Sequence, residues 1–248
     1  MSSEVEMNRR IGRWHSPAVD KALSVVRWGW WGRPVIFFPT GGGDALDCER
    51  FGMVQALAPL ITSGRIKLYA VDSISKQSWI DPATASVDKV RHQARYDSWL
   101  TEELVPWIRA DCEGDDQPMV VTGASIGAFL AWSAATRHPE LFSLMIGMSG
   151  TYQMDRRMNG HWDQAWYFHD PCQFIPNLPE GGQLAQLRES LFVFGLGRQW
   201  ENPTYTRNAA AALSARRIPH HVEVWGGDSG HDWPTWRTML PAALQKLA

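Results

Sequence analysis

The chain has 248 residues, of which 44% are hydrophobic, and its formal net charge is −2. This length and composition predict a single globular domain over residues 1–248. The near-neutral charge argues against nucleic acid or a membrane surface as a partner. Three widely spaced cysteines without a Cys-x-x-Cys pair favour neither disulfides nor a zinc site. The charged N-terminus lacks the apolar run of a signal peptide, so we expect a cytoplasmic protein.

Apolar runs alternate with helical periodicity along most of the chain. The alternation predicts an α/β fold with a mostly parallel central sheet and helices on both faces. Predicted strands begin near residues 23, 33, 66, 119, 144, 191 and 221, and predicted helices cover about 45–60, 82–110, 126–138, 203–217 and 233–247. Periodicity fades between residues 150 and 189. We expect an irregular insertion there, over the edge of the sheet, which would form a partial lid.

The most informative motif is Gly123-Ala-Ser-Ile-Gly127, which follows an apolar strand and precedes a helix. A Gly-x-Ser-x-Gly turn between strand and helix is typical of a nucleophile elbow, in which the serine is pushed into the open. The helix N-terminus behind it offers free N–H groups and a positive dipole end to an anion. Ser125 is therefore the candidate nucleophile.

A serine nucleophile needs a base that follows it in the chain, at the end of a later strand. His231 fits, because it lies in the loop between the last predicted strand and the last helix. His161 and His169, in the irregular segment, are the rival candidates. The remaining histidines precede the elbow, end a helix or precede the last strand.

The acid that orients the base should follow the strand that begins near residue 191. Glu201 is the carboxylate in the loop Gly195-Leu-Gly-Arg-Gln-Trp-Glu201 and is our first candidate. Asp228, three residues before His231, is the competitor. An aspartate in a Gly-rich turn usually makes local hydrogen bonds instead.

The oxyanion of an acyl intermediate needs two N–H donors. One comes from the residue after the nucleophile, here Ile126, and the other from the loop after the strand at 33–39. That loop reads Thr40-Gly-Gly-Gly43, and its glycines let backbone approach a substrate closely. We assign the second donor to Gly41, with Thr40 as the next choice.

These motifs together resemble the family of α/β-hydrolases named Putative esterase, over roughly residues 25–248. The family includes esterase D, feruloyl and acetylxylan esterases and the antigen 85 mycolyltransferases. The resemblance rests on residues 38–44, 123–129, 137–142, 148–150, 195–201 and 230–236. The mycolyltransferases carry a similar Gly-x-Gly-x-x-x-Glu loop, which independently favours Glu201. Family members often have Met and Gly where this chain has Ile126 and Ala128, and many have Gly in place of Thr40.

The sequence thus predicts a serine esterase with a Ser125–His231–Glu201 triad and no metal or organic cofactor. The partner would be a small ester substrate. Trp-rich loops suggest an apolar or aromatic group on that substrate, with candidate contacts from Thr40, Trp79, Trp162, Trp200 and Trp233, and with Trp166 in the same loops. The same triad also serves acyl transfer and thioester cleavage, and a non-catalytic binding protein would keep the pocket. Nucleotide binding is disfavoured, because neither Gly-rich loop completes a G-x-G-x-x-G or a Gly-Lys-Ser/Thr motif.

Overall fold

A computed structural model describes residues 7–199 and 201–248. Its centre is an eight-stranded sheet in the spatial order β1-β2-β4-β3-β5-β6-β7-β8. The strands are β1 Arg10–Ser16, β2 Lys21–Trp28, β3 Arg33–Phe38, β4 Ile66–Val71, β5 Met119–Ala124, β6 Phe142–Met148, β7 Leu191–Gly197 and β8 His220–Trp225. In this spatial order, every neighbouring pair from β4 through β3 and β5 to β8 is parallel. Strand β2 pairs antiparallel with both β1 and β4. The carboxyl ends of β3 to β8 therefore meet at one edge, where loops from different parts of the chain lie together.

Helices cover both faces of the sheet, as the alternating pattern predicts. Within β3, Val35 and Phe37 belong to one buried cluster and Ile36 and Phe38 to the other, because side chains alternate across a strand. The helices are α1 Asp47–Arg50, α2 Met53–Thr62, α3 Ser86–Trp99, α4 Val105–Asp111, α5 Ile126–Arg137, α6 Gln164–His169, α7 Pro171–Phe174, α8 Gly182–Glu189, α9 Thr204–Ala215 and α10 Trp233–Leu247. Helices α2 and α10 pack on one face, and α3, α5 and α9 on the other.

Strand β1 is missing from the sequence-based prediction. It lies at the edge of the sheet, and most of its residues are exposed or half-buried. An edge strand with this pattern carries too few apolar residues to give a periodic signal. Residue Ile11 even keeps 53% of its surface exposed.

The prediction of one helix over 45–60 is wrong. The chain forms the short helix α1, turns at Gly52 and starts again as α2. Gly52 has φ +74°, a left-handed conformation that an α-helix does not contain. The helix predicted from about residue 82 to 110 instead runs nearly unbroken, as α3, a π-helical turn Leu100–Leu104 and α4.

The segment between residues 150 and 189 contains more helix than we expected. It forms α6, α7 and α8 together with 3₁₀ turns, joined by short loops. Large side chains from it, such as Tyr152, Trp166 and Phe174, are buried against the face that carries α3 and α5. Short helices of four to eight residues are hidden from sequence patterns because they span too few turns to show a period.

Within the part of the chain that the structure describes, no helix has the length and hydropathy needed to cross a bilayer.

Candidate active site

Ser125 stands between β5 and α5 in a strained backbone conformation. Its φ is +57° and its ψ is −120°, which is unusual for a residue with a Cβ. The strained residue is held on both sides, because its N–H donates to Met148 O at 3.0 Å and its carbonyl accepts from Thr151 N at 3.1 Å. The side chain is half-buried at the carboxyl edge of the sheet. This is the elbow geometry that the motif predicts.

The elbow can form because its neighbours are small. A Cβ on Gly127 would lie 2.5 Å from Phe38 O and 2.6 Å from Pro39 O, so a larger residue would push α5 away from β3. A Cβ on Gly123 would collide with the Gly127 backbone and would lie 3.0 Å from Ala128 N. The two motif glycines therefore allow α5 to approach the ends of β3 and β5 closely.

The structure brings the two expected oxyanion donors together. Ile126 is the first residue of α5, so its N–H has no partner within the helix. A Cβ on Gly41 would lie 3.8 Å from Ile126 Cγ2, which places the glycine loop beside the elbow. Among the described residues, neither the Gly41 nor the Ile126 N–H donates a hydrogen bond. Both donors thus remain available to an anion.

A network beneath the glycine loop holds it in place. Thr40 Oγ1 donates to Asp47 Oδ2 at 3.2 Å, and Arg50 binds the other oxygen of that carboxylate at 2.6 Å. Burial raises the pKa of Asp47, and its hydrogen bond from Thr40 opposes the rise. Asp72, after β4, accepts from Ala45 N at 2.9 Å. The Thr40 hydroxyl therefore supports the loop, and its predicted contact with substrate remains a proposal.

Glu201 lies after β7, as expected for the acid. Its Oε1 accepts from Ser149 Oγ at 2.5 Å and from Gly197 N at 3.0 Å. No donor in the described residues reaches Oε2. Burial and the nearby charge of Glu201 raise the pKa of the Tyr152 phenol, so that hydroxyl stays protonated beside the carboxylate.

His231 lies exposed between β8 and α10, in the loop that the sequence indicates. Its ring packs edge-on against Trp236, with centroids 5.2 Å apart and planes at 79°. In residues 7–199 and 201–248, no hydrogen bond joins His231 to Ser125 or to Glu201. The three triad candidates share one edge of the sheet, and the direct contacts of an assembled triad are absent from this conformation.

The loops that carry the acid and the base are tied to each other. Gln199 N donates to Ser229 O at 3.2 Å, and Arg198 N donates to Trp225 O at 3.0 Å. A side chain on Gly197 would clash with the Ser229 backbone, so the two loops touch at this point. These contacts hold the loop that carries Glu201 next to the loop that carries His231, at the ends of the neighbouring strands β7 and β8.

The rival candidates have other surroundings. His161 Nε2 lies 2.9 Å from Asp163 Oδ2 in the segment before α6. His169 is 4% exposed, and burial lowers its pKa to about 4, so it is a neutral core residue. Asp228 is exposed in a turn and makes no hydrogen bond through its side chain to a described residue. None of the three has a described hydrogen bond to Ser125 or its loop.

The tryptophan candidates divide by exposure. Trp79 is 1% exposed and donates from Nε1 to Gln93 Oε1 at 2.9 Å, so it is a core residue. Its burial argues against the predicted contact with substrate. Trp162 is 64% exposed and donates to Gln173 Oε1 at 3.0 Å. Trp233 stacks on Phe51 at a centroid distance of 4.7 Å. Trp200 lies outside the described residues.

Two residues of this edge have no role in the sequence-based hypothesis. Ser149 follows β6 with φ +48°, and Trp236 on α10 donates from Nε1 to Ser149 Oγ at 2.9 Å. Both belong to motifs that carry the family resemblance. The position of Ser149 at the end of a strand between the elbow strand and the acid strand is the signal that could have identified it.

A further pair frames the glycine loop. Gly41 has Ile80 Cγ2 at 4.0 Å from its Cβ position, and Gly42 has Lys76 Cε at 3.4 Å. These residues follow β4 in a 3₁₀ turn and the loop after it.

Among the described residues, no group of three or more His, Cys, Asp or Glu side chains is arranged to hold a metal ion.

Solved structures with the same architecture define the class of this fold. A ferulic acid esterase superposes with a TM-score of 0.72 at 16% identity, covering 95% of this chain and 96% of its own. An S-formylglutathione hydrolase from Agrobacterium tumefaciens gives a TM-score of 0.72 at 13% identity, covering 96% and 93%. The MPT51 protein (FbpC1) of Mycobacterium tuberculosis gives 0.64 at 18% identity, covering 95% and 97%. The fold is that of the α/β-hydrolases.

The sequence itself is more specific. Residues 44–247 match the model of the family described as Putative esterase, and this chain belongs to that family. A search of the curated proteins finds no match. The expected family and fold class are thereby confirmed, whereas the roles of the individual site residues stay proposals.

Proposed function

We propose that this protein is a serine hydrolase that cleaves carboxylic esters through an acyl-enzyme on Ser125. The observation that carries the proposal is the strained elbow of Ser125. Beside it lie the N–H groups of Gly41 and Ile126, which donate no hydrogen bond to any described residue. Strain of this kind costs on the order of 1–3 kcal/mol and is concentrated at functional sites. Membership of an esterase family supports the same reaction class.

In the proposed reaction, Ser125 Oγ attacks the carbonyl carbon while His231 takes its proton. The carbonyl oxygen becomes an oxyanion that the Gly41 and Ile126 N–H groups stabilise, and each such donor is worth about 3 kcal/mol in comparable sites. His231 then gives the proton to the leaving alcohol oxygen, which departs and leaves the acyl-enzyme. Water repeats the cycle, releases the acid and restores Ser125.

The acid in this proposal is Glu201, which holds the His231 tautomer and stabilises the imidazolium. In the proposed reaction, the exposed His231 side chain moves toward Glu201 and Ser125 to make this contact. Hydrogen bonds in catalytic sites without substrate are often long and shorten when substrate binds. Oε2 of Glu201, which accepts no hydrogen bond from a described residue, offers the acceptor for that contact.

The aromatic residues at this edge suggest where a substrate would lie. Trp233, two positions after His231 in the chain, stacks on Phe51, and Trp162 is exposed on the loop before α6. We propose these surfaces as contacts for an apolar or aromatic substituent of the ester.

The test is steady-state hydrolysis of p-nitrophenyl butyrate by the wild type, by Ser125→Ala and by Ser133→Ala. Ser133 lies on α5, the helix that Ser125 precedes, and is 1% exposed. Its hydroxyl has no hydrogen-bond partner in the described residues, so it is the matched control. We expect Ser125→Ala to lose activity by at least about 10³-fold and Ser133→Ala to keep it. Equal activity of the two variants would refute the proposal.

The structural neighbours described above suggest a panel of substrates for the next experiment. A feruloyl ester and an S-formyl thioester should be compared with p-nitrophenyl esters of increasing acyl length. Hydrolysis of the thioester with at least tenfold higher kcat/KM than any oxygen ester would move the proposal to a thioesterase. Product analysis with added alcohol would detect acyl transfer.

A further inference from the structure

Ser149 lies at the centre of a chain of hydrogen bonds that ends on Glu201. It is 4% exposed, its N–H donates to Gly195 O at 2.7 Å, and its φ is +48°. A left-handed conformation is costly for serine, and at this position it aims the hydroxyl across the end of β7 toward Glu201. The hydroxyl donates its single proton to Glu201 Oε1 at 2.5 Å.

Trp236 fixes the direction of that proton. Its Nε1–H donates to Ser149 Oγ at 2.9 Å, so the hydroxyl accepts from the indole and must donate elsewhere. The same indole ring packs edge-on against His231. Trp236 is 4% exposed, so its side chain is fixed by packing. It contacts both His231 and Ser149.

The hydrogen-bond donors on Glu201 are distributed unequally between its two carboxylate oxygens. Both the Ser149 hydroxyl and the Gly197 N–H bind Oε1, and in the described residues Oε2 has no donor. A carboxylate held through one oxygen has its other oxygen oriented and open. His231 is the donor in the neighbouring loop that lacks a hydrogen bond to any described residue.

We propose that Ser149 and Trp236 are positioning residues, which hold Glu201 by one oxygen so that the other receives His231. The proposal rests on the proposed function of Glu201 as the acid. It makes Ser149 a partner of the acid and excludes the opposite role, in which Ser149 would compete with His231 for Glu201.

The two possible roles of Ser149 predict opposite changes in the pKa of His231 when Ser149 is replaced. If Ser149 positions Glu201, Ser149→Ala loosens the carboxylate, stabilises the imidazolium less and lowers the pKa of His231. The acid limb of the kcat/KM profile then moves to lower pH, and kcat falls by about tenfold with KM unchanged. If Ser149 competes, the same variant frees Glu201, raises the pKa of His231 and leaves kcat unchanged or higher.

Ser149→Gly separates positioning from backbone strain. Glycine adopts φ +48° without cost but also lacks the hydroxyl. We expect Ser149→Gly to lose as much kcat as Ser149→Ala. We also expect Ser149→Gly to unfold at a higher temperature than Ser149→Ala. A merely structural role predicts that activity follows thermal stability instead.

Trp236→Phe keeps an aromatic ring against His231 and removes the indole donor. We expect the same changes at reduced size, about threefold in kcat, because Ser149 can still donate to Glu201. This variant also tests the proposal if Ser149→Ala does not fold.

The matched controls are Ser16→Ala and Trp14→Phe. Ser16 Oγ and Trp14 Nε1 donate to Glu103 at 2.6 and 2.7 Å, so the chemistry is the same but the place is remote from Ser125. We expect these variants to lower the unfolding temperature and leave the pH–rate profile unchanged.

The measurements are the pH–rate profile with p-nitrophenyl butyrate and an NMR titration of the His231 ring. Unchanged kcat and unchanged His231 pKa in Ser149→Ala, Ser149→Gly and Trp236→Phe would overturn the proposal, as would a raised pKa. The titration reads the Ser149–Glu201–His231 coupling without any substrate. If the wild type hydrolyses no ester but Ser149→Ala still lowers the pKa of His231, the proposed function is refuted. The proposed coupling of Ser149, Glu201 and His231 is then still supported.

Discussion

Two glutamates in this chain have nearly the same partners and a different arrangement of them. Glu103, between α3 and α4, accepts from Ser16 on one oxygen and from Trp14 on the other. Glu201 accepts from Ser149 and from a backbone N–H, both on the same oxygen, and the tryptophan binds the serine instead.

The two carboxylates differ in whether both of their oxygens accept hydrogen bonds from the described residues. Glu103 has a donor on each oxygen and ties the edge strand β1 to the helices beside it. Glu201 keeps one oxygen oriented and unoccupied by the described residues at the edge that carries Ser125 and His231. A carboxylate with all its hydrogen bonds made adds stability, whereas one with an open oxygen can serve another residue.

The largest effect should come from the residue that Glu201 is proposed to serve. His231→Ala should reduce kcat/KM for p-nitrophenyl butyrate by about 10³-fold, since it removes the base and later the acid. The exposed position predicts little change in thermal stability. A loss below tenfold in a folded variant would argue for another base, and His161→Ala is the matched control.

The two glutamates should then respond oppositely. Glu201→Gln should reduce kcat/KM by about 10²-fold, which corresponds to roughly 2.7 kcal/mol, with a small change in stability. Glu103→Gln should keep kcat/KM and lower the free energy of unfolding by about 1–3 kcal/mol, because it leaves a buried donor without its acceptor. Urea unfolding and steady-state kinetics on both variants check this. Equal kinetic losses would contradict the comparison.

His138 and Asp97 form a largely buried histidine–carboxylate pair, which should affect stability at low pH and leave activity unchanged. Burial raises the pKa of Asp97, but the His138 hydrogen bond and charge and the Arg137 charge outweigh it and hold the pKa at about 2. Because this is below the ordinary value of 3.8, the stabilisation is complete above pH 3.8 and is lost as pH falls toward 2. Asp97→Asn should therefore flatten the loss of stability between pH 4 and about 2, and leave kcat/KM at pH 7 unchanged. Thermal unfolding from pH 7 to 2 measures it, and an unaltered slope would contradict the assignment.

The smallest effect should be that of the competing acid. Asp228→Asn should change kcat/KM by less than about twofold, because its side chain makes no hydrogen bond to a described residue and is exposed. If Asp228→Asn loses more activity than Glu201→Gln, the acid is Asp228 and the comparison of the two glutamates fails.

The elbow could be predicted from the sequence because its information is local. Strand, turn glycines, serine and helix follow one another within residues 119–137, and each residue type has one reason to be there. The parallel strands were equally predictable, since strands buried on both faces are continuous apolar runs. The antiparallel edge strand β1 lacks such a run and was missed.

The surroundings of Glu201 could not be predicted, because they depend on contacts between distant parts of the chain. Ser149 and Glu201 are 52 positions apart, and Ser149 and Trp236 are 87 apart. Tryptophan exposure was equally hidden, since the sequence does not separate buried Trp79 from exposed Trp162. The residue type alone predicts an aromatic surface or an aromatic core with equal ease.

The site of covalent reaction with a fluorophosphonate would show most directly whether Ser125 is the nucleophile. The folded protein should be incubated with the reagent, digested and mapped by mass spectrometry, with Ser125→Ala and His231→Ala in parallel. We expect one adduct per chain, on Ser125, absent from Ser125→Ala and formed much more slowly in His231→Ala. No adduct on the folded wild type, or an adduct on a different serine, would show that Ser125 is not the nucleophile.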